Sequence, residues 1–113
     1  MDKPQIEIRD NPDKHRFEAD LGDATAIAEY NLLSHAIMFT HTEVPEAYEG
    51  QGIGTKLIEF ALAEARRRGL QVIPICPFFA AYMKEHEEVQ DLLTPAYAKI
   101  LGVAGRSDEG EGR

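Results

Sequence analysis

The sequence predicts an α+β domain. Up to Val44, short runs of alternating apolar and polar residues are separated by turn residues. After Pro45 the apolar period becomes helical, and a short, almost wholly apolar run follows at 70–76.

Each element has its own local reason. Residues 5–9 alternate as a short strand would, and Asn11-Pro12-Asp13 supplies turn chemistry. Residues 15–21 read as a second strand with Phe17, Ala19 and Leu21 on one face, closed by Gly22-Asp23. Residues 24–32 and 35–44 read as two longer strands joined near 31–34. Connections this short join antiparallel neighbours, so the four strands form a meander. Gly50, Gly52 and Gly54 then crowd one loop, and Ile53, Leu57, Phe60 and Ala61 recur at helical spacing. Arg66, Arg67 and Arg68 complement the C-terminal end of that helix on a solvated face, and Gly69 takes the cap position. Residues 70–76, with Leu70, Val72, Ile73 and Ile75, suit a strand buried on both faces. Pro77 fits the first turn of a helix over 78–86, whose Phe79, Tyr82 and Met83 share a face. Residues 87–93 add a final strand or an irregular segment, and Thr94-Pro95 opens a short helix to Leu101. The Gly- and Glu-rich residues 102–113 read as a disordered tail, leaving 1–101 as a single domain.

Composition narrows the function. A chain of 113 residues holds one hydrophobic core, not two. Its 20 acidic and 12 basic residues give a net charge of −8, which repels nucleic-acid phosphates and suits a cationic partner. No apolar run approaches the roughly 18–20 residues that cross a bilayer. The first residues are polar and charged, unlike a signal peptide, so a cytoplasmic protein without a membrane partner is expected. Cys76 is the single cysteine, which excludes an internal disulfide framework and a zinc site built from several cysteines. His35 and His86 lack ligand spacing, so no metal is expected.

The glycine loop carries the chemistry. Glycines between a strand and a helix let an anion approach the backbone, where the first helical N–H groups point at it. A dinucleotide-binding turn needs a later third glycine and an acid near the end of the next strand, where this chain has Ile75 and Cys76. A Walker-type loop ends in Gly-Lys-Ser/Thr, whereas Gly54 is followed by Thr55-Lys56. The segment Glu49-Gly50-Gln51-Gly52-Ile53-Gly54 instead resembles the Arg/Gln-x-x-Gly-x-Gly/Ala signature of the GNAT-type N-acetyltransferases. The flanks agree: His41-Thr42-Glu43-Val44-Pro45 before it, and residues 72–77 with Ala80-Ala81-Tyr82 after it. The chain is similar to a minimal, single-domain GNAT subfamily with a cysteine at the end of the buried strand.

The resemblance implies a mostly antiparallel mixed sheet with helices on both faces, lacking the usual first helices between the first two strands. It implies acetyl-CoA as cofactor, its pyrophosphate on the amides of Gln51, Gly52, Ile53, Gly54 and Thr55, with Val44 beside it and Lys56 as a cationic contact. Glu49 departs from the signature and puts a carboxylate near a polyanion. The acyl thioester would lie between the strand ends contributed by residues 40–45 and 72–76. Cys76, just before a helix N-terminus, is a candidate for direct chemistry or a pocket-lining residue. His41 and Glu43, two apart on a strand, face one side roughly 6–7 Å apart and are candidate bases. Tyr82 aligns with the family's tyrosine that protonates the departing thiolate, or is a core aromatic beside Phe79 and Met83.

The function expected is acetyl transfer to an amine acceptor, a small molecule or a protein lysine or N-terminus, by a monomer or weak homodimer. The alternatives are a non-catalytic CoA-binding or protein-interaction module on the same scaffold, and an acidic adaptor with no CoA affinity.

Overall fold

The computed structural model describes residues 6–103. Five strands lie side by side in sequence order: β1 (Glu7–Asn11), β2 (Arg16–Asp20), β3 (Thr25–Leu32), β4 (Ala36–Glu43) and β5 (Gln71–Pro74). The first four form the expected antiparallel meander, and β5 runs parallel to β4. A parallel neighbour needs a crossover, and α1 (Ile53–Arg67) provides it. Then come α2 (Pro77–Glu85) and α3 (Pro95–Leu101).

One side of the sheet carries the core. Phe17 and Ala19 on β2, Ala26, Ala28 and Tyr30 on β3, and Ile37 and Phe39 on β4 meet the buried Leu57, Ile58, Ala61, Leu62 and Ala65 of α1. Alanines on the inner strands let the helix pack closely, and aromatic rings fill the space on either side. Phe17 lies 5.6 Å from Phe60 of α1 edge to face, and Phe39 stacks on Phe79 of α2 at 4.2 Å. Phe17 and Phe39 are themselves neighbours at 6.4 Å. Both helices therefore share one aromatic layer, where helices on both faces were expected.

No described helix covers the other side, because the connection between β1 and β2 is only a 3₁₀ turn, Pro12–Lys14. Register places Arg9, Arg16, Glu18, Glu29, His41 and Glu43 there. Glu18, although only 6% exposed, accepts from Arg16 Nε at 2.8 Å, Asn11 Nδ2 at 3.0 Å and Arg9 at 3.4 Å. The Arg16 hydrogen bond holds its carboxyl below the usual carboxylate range against the opposing effect of burial.

A β-bulge sits in the middle of β4. Glu29 pairs with His41 but Tyr30 pairs with Phe39, so Thr40 is an extra residue in β4. Alternation resumes in the opposite phase. Thr42, opposite Ala28, shares the core side with Phe39, whereas His41 and Glu43 turn to the uncovered side.

The arginine triplet is fully engaged by carboxylates. Arg66 makes a two-pronged contact with Asp91, both bonds 2.9 Å, and Arg67 binds Glu64. Arg68 reaches Glu64 and Asp10, and Asp10 also accepts the Tyr30 hydroxyl at 2.6 Å. Residues 87–93 form a 3₁₀ helix, Glu87–Leu92, followed by a single bridge between Val72 and Leu93 rather than a strand. Thr94 caps α3 through Oγ1, and Gly102 closes it in the left-handed conformation with Val103 bonded to Ala98 O. Two residues assigned by sequence to the tail are thus part of the folded structure; residues 104–113 of that expectation, and Gln5 of the first strand, lie outside the described residues.

Candidate active site

The first turn of α1 is a helix entrance with no side-chain cap. Gly52, at the N-cap, has φ 79°, which lets the chain enter the helix from an αL turn. Gly50 adopts φ 83°, and a Cβ at either glycine would meet nothing within 4 Å. The leading helical N–H groups have no carbonyl four residues behind them inside the helix, so they face outward. They face a cleft of about 450 Å³ lined by Thr42 and Val44 of the β4 end, Tyr48, Glu49 and Gly50 of the loop, Gly52 to Thr55, and Phe78 of α2.

The cleft adjoins a gap between parallel strands. Pairing of β4 with β5 stops at Phe39–Pro74, and Cys76 N then donates to Phe39 O at 2.8 Å. Beyond this point β4 pairs only with β3, while the chain after β5 turns away into α2. Cys76 is 4% exposed and its Sγ lies 3.4 Å from Thr42 Oγ1. The bulge at Thr40 makes this contact possible by turning Thr42 inward.

Several predicted site residues converge here. Val44, Gly52, Ile53, Gly54 and Thr55 line the cleft, and Cys76 touches it through Thr42. Gln51 and Lys56 are exposed at the loop and first helical turn without lining it. His41 and Glu43 are together, with Nε2–Oε2 3.4 Å, but on the opposite side of the sheet from Cys76 and largely exposed. Glu43 lines an adjacent recess of about 340 Å³ with Thr25, Pro45 and Glu46, which shares Val44 and Glu49 with the main cleft.

Tyr82 is the clear departure. It lines a separate groove with Glu59, Leu62 and Arg66, stacks on His86 at 3.8 Å, and donates its hydroxyl to Glu59 Oε2 at 3.3 Å. Partial burial, reinforced by the Glu59 charge, pushes its hydroxyl above the usual tyrosine range. It lies one turn beyond Phe78 on α2, far enough along the helix to face Glu59 and Arg66 of α1 instead of the glycine loop.

Three cleft residues escaped sequence reasoning: Thr42, Tyr48 and Phe78. Tyr48 ties the loop to the β2–β3 turn through Asp23 Oδ1 at 2.6 Å and Leu21 O at 3.3 Å, and the Asp23 bond raises its pKa. Tyr48, just before Glu49 and the glycines, was visible in the sequence; its partner was not. Thr42 could be found only by knowing the bulge.

Among protein-family models, one described as GCN5-related N-acetyl-transferase matches residues 16–92. The match takes in β2 to β5, the glycine loop, α1 and α2. No curated protein matches the chain.

Proposed function

The chain belongs to the GCN5-related N-acetyltransferase family, and from that premise we propose that it moves the acetyl group of acetyl-CoA onto a primary amine, with the diphosphate held at the entrance of α1. The observation that carries this reading is the uncapped helix N-terminus opening into the cleft, with space for a ligand beside Gly50 and Gly52. Backbone donors and the helix dipole favour an anion there. The N–H groups of Gly52 to Thr55 would grip the diphosphate, with Gln51 and Lys56 at the rim. The β4 end at Thr42 and Val44, unpaired on the β5 side, would receive the arm.

The thioester supplies the acetyl group in this scheme. Beyond Phe39 the β5 side of β4 is unpaired, so the cleft side and the uncovered side meet at that edge, which suits an amine arriving at Glu43 and His41. Glu43, with His41 beside it, takes the proton of the incoming ammonium, directly or through one water. The nitrogen–carbon bond forms, the carbon–sulfur bond breaks, and the second proton of the attacking nitrogen passes through solvent to the thiolate, which leaves as the CoA thiol. Cys76 lines the thioester end. Tyr82, engaged with Glu59 in another groove, has no part in the scheme.

Isothermal titration with acetyl-CoA tests the grip: the wild type binds and Gly52→Asp, which adds a carboxylate at a left-handed position, is silent. Equal binding by both removes the loop from the scheme. One observation favours a second reading, a module that binds CoA without turnover: Glu49 places a carboxylate on the cleft wall. Release of free CoA in the presence of a panel of cationic amines separates the two.

A further inference from the structure

The three glycines of the loop meet different surroundings. Gly50 and Gly52 sit in left-handed conformations with open space around them. Gly54 has ordinary helical geometry and no room. A Cβ there would lie 2.6 Å from Phe78 Cε2, 2.9 Å from Phe78 Cζ and 3.6 Å from Val44 Cγ2. The Phe78 ring therefore rests on the first turn of α1, next to the end of β4. It is nevertheless 47% exposed, and its open part lines the cleft.

We propose that Phe78 is a ligand-binding residue for the arm of acyl-CoA, and that Gly54 serves as the seat that holds its ring at the cleft wall. This rests on the acetyl-CoA reading above. The ring touches the residue whose N–H lies at the helix entrance, so it meets whatever is bonded to a diphosphate held there. In CoA that is a chain with two methyl groups on a quaternary carbon, an apolar segment suited to a half-bare aromatic face. Thr42 and Val44 line the same cleft, with Val44 Cγ2 close beside the ring at Gly54. The motif's last glycine is then required by a side chain of the protein rather than by close approach of the anion.

A double-mutant cycle on CoA affinity, read by isothermal titration, tests the seat. Phe78→Ala weakens CoA binding about tenfold, the worth of roughly 50 Å² of apolar contact. Phe78→Leu restores most of it. Gly54→Ala pushes the ring out of place and costs a similar factor in the wild-type background, but less than about twofold when Phe78 is already alanine. In solution, nuclear Overhauser contacts join the Phe78 ring protons to the CoA methyl groups, and they vanish in Phe78→Leu. An equal cost of Gly54→Ala in both backgrounds, or a bound CoA with no contact to the ring, overturns the proposal while leaving the acetyl-CoA reading intact. A wild type that binds no CoA overturns that reading, and this one with it.

Discussion

A carboxylate at position 49 lines the same cleft as the outward-facing amides of the helix entrance. If a polyanion binds there, Glu49 opposes it. Exposed charge pairs are worth about 0.2–1 kcal/mol, so Glu49→Gln is expected to tighten acetyl-CoA binding by about 1.4- to fivefold. Titration at low salt would detect the gain, and about 0.5 M salt should shrink it. An unchanged affinity would place the carboxylate clear of the ligand. At position 76 the buried thiol meets Thr42 Oγ1 at 3.4 Å, a contact suited to lining. Cys76→Ala is expected to lower stability by about 1 kcal/mol while keeping turnover within about threefold. Intact-mass spectrometry of the wild type after acetyl-CoA treatment should show no acetyl adduct. A stable adduct, or loss of turnover in the alanine variant, would restore a covalent role.

Among the elements, the β1 hairpin is tied to the far end of α1 by a half-buried cluster. Asp10 accepts from Tyr30 Oη at 2.6 Å and from Arg68 Nη2 at 2.9 Å, while Arg68 also holds Glu64. Burial, and then the Asp10 hydrogen bond, push the Tyr30 hydroxyl up to about 12. A pKa raised on folding means that the folded state keeps its proton longer than the unfolded chain. The contribution is complete below the unfolded value of about 10 and is lost as pH climbs toward 12. Urea denaturation should therefore show a steeper loss of stability between pH 10 and 12 for wild type than for Tyr30→Phe. At neutral pH the same variant should be less stable by about 1–2 kcal/mol. Equal slopes would sever the link between this hydroxyl and the fold. The order of elements was legible because turn residues such as Asn11-Pro12-Asp13 and Gly22-Asp23, and the period change after Pro45, are local signals. Less could be read where pairing decides. Strand ends shifted by one or two residues, the last segment became a 3₁₀ helix, and the covering of only one sheet side depends on which partners each helix finds.

For the molecule as a whole, a net charge of −8 sets a long-range field. It should favour cationic acceptors, so kcat/KM for a polyamine is expected to fall severalfold from about 0.05 to 0.5 M salt, with a neutral amine little affected. Parallel salt profiles for the two amines would show that acceptor charge is not sensed. The glycine loop was the legible part of the candidate site, since both its conformation and its helix entrance follow from residue types in sequence. Tyr82 and the facing of His41 and Glu43 toward the uncovered side were not, because each depends on an offset between elements. Thr40 is the sharpest case. Trimming the chain by that single residue would leave its acidity and its turns nearly as they are. It would nonetheless rotate the remainder of the strand by half a turn, steering an imidazole and a carboxylate into oil and a threonine out to the bulk. Chain length, counted in one unit, would then govern the polarity of this wall more strongly than the identity of any residue on it.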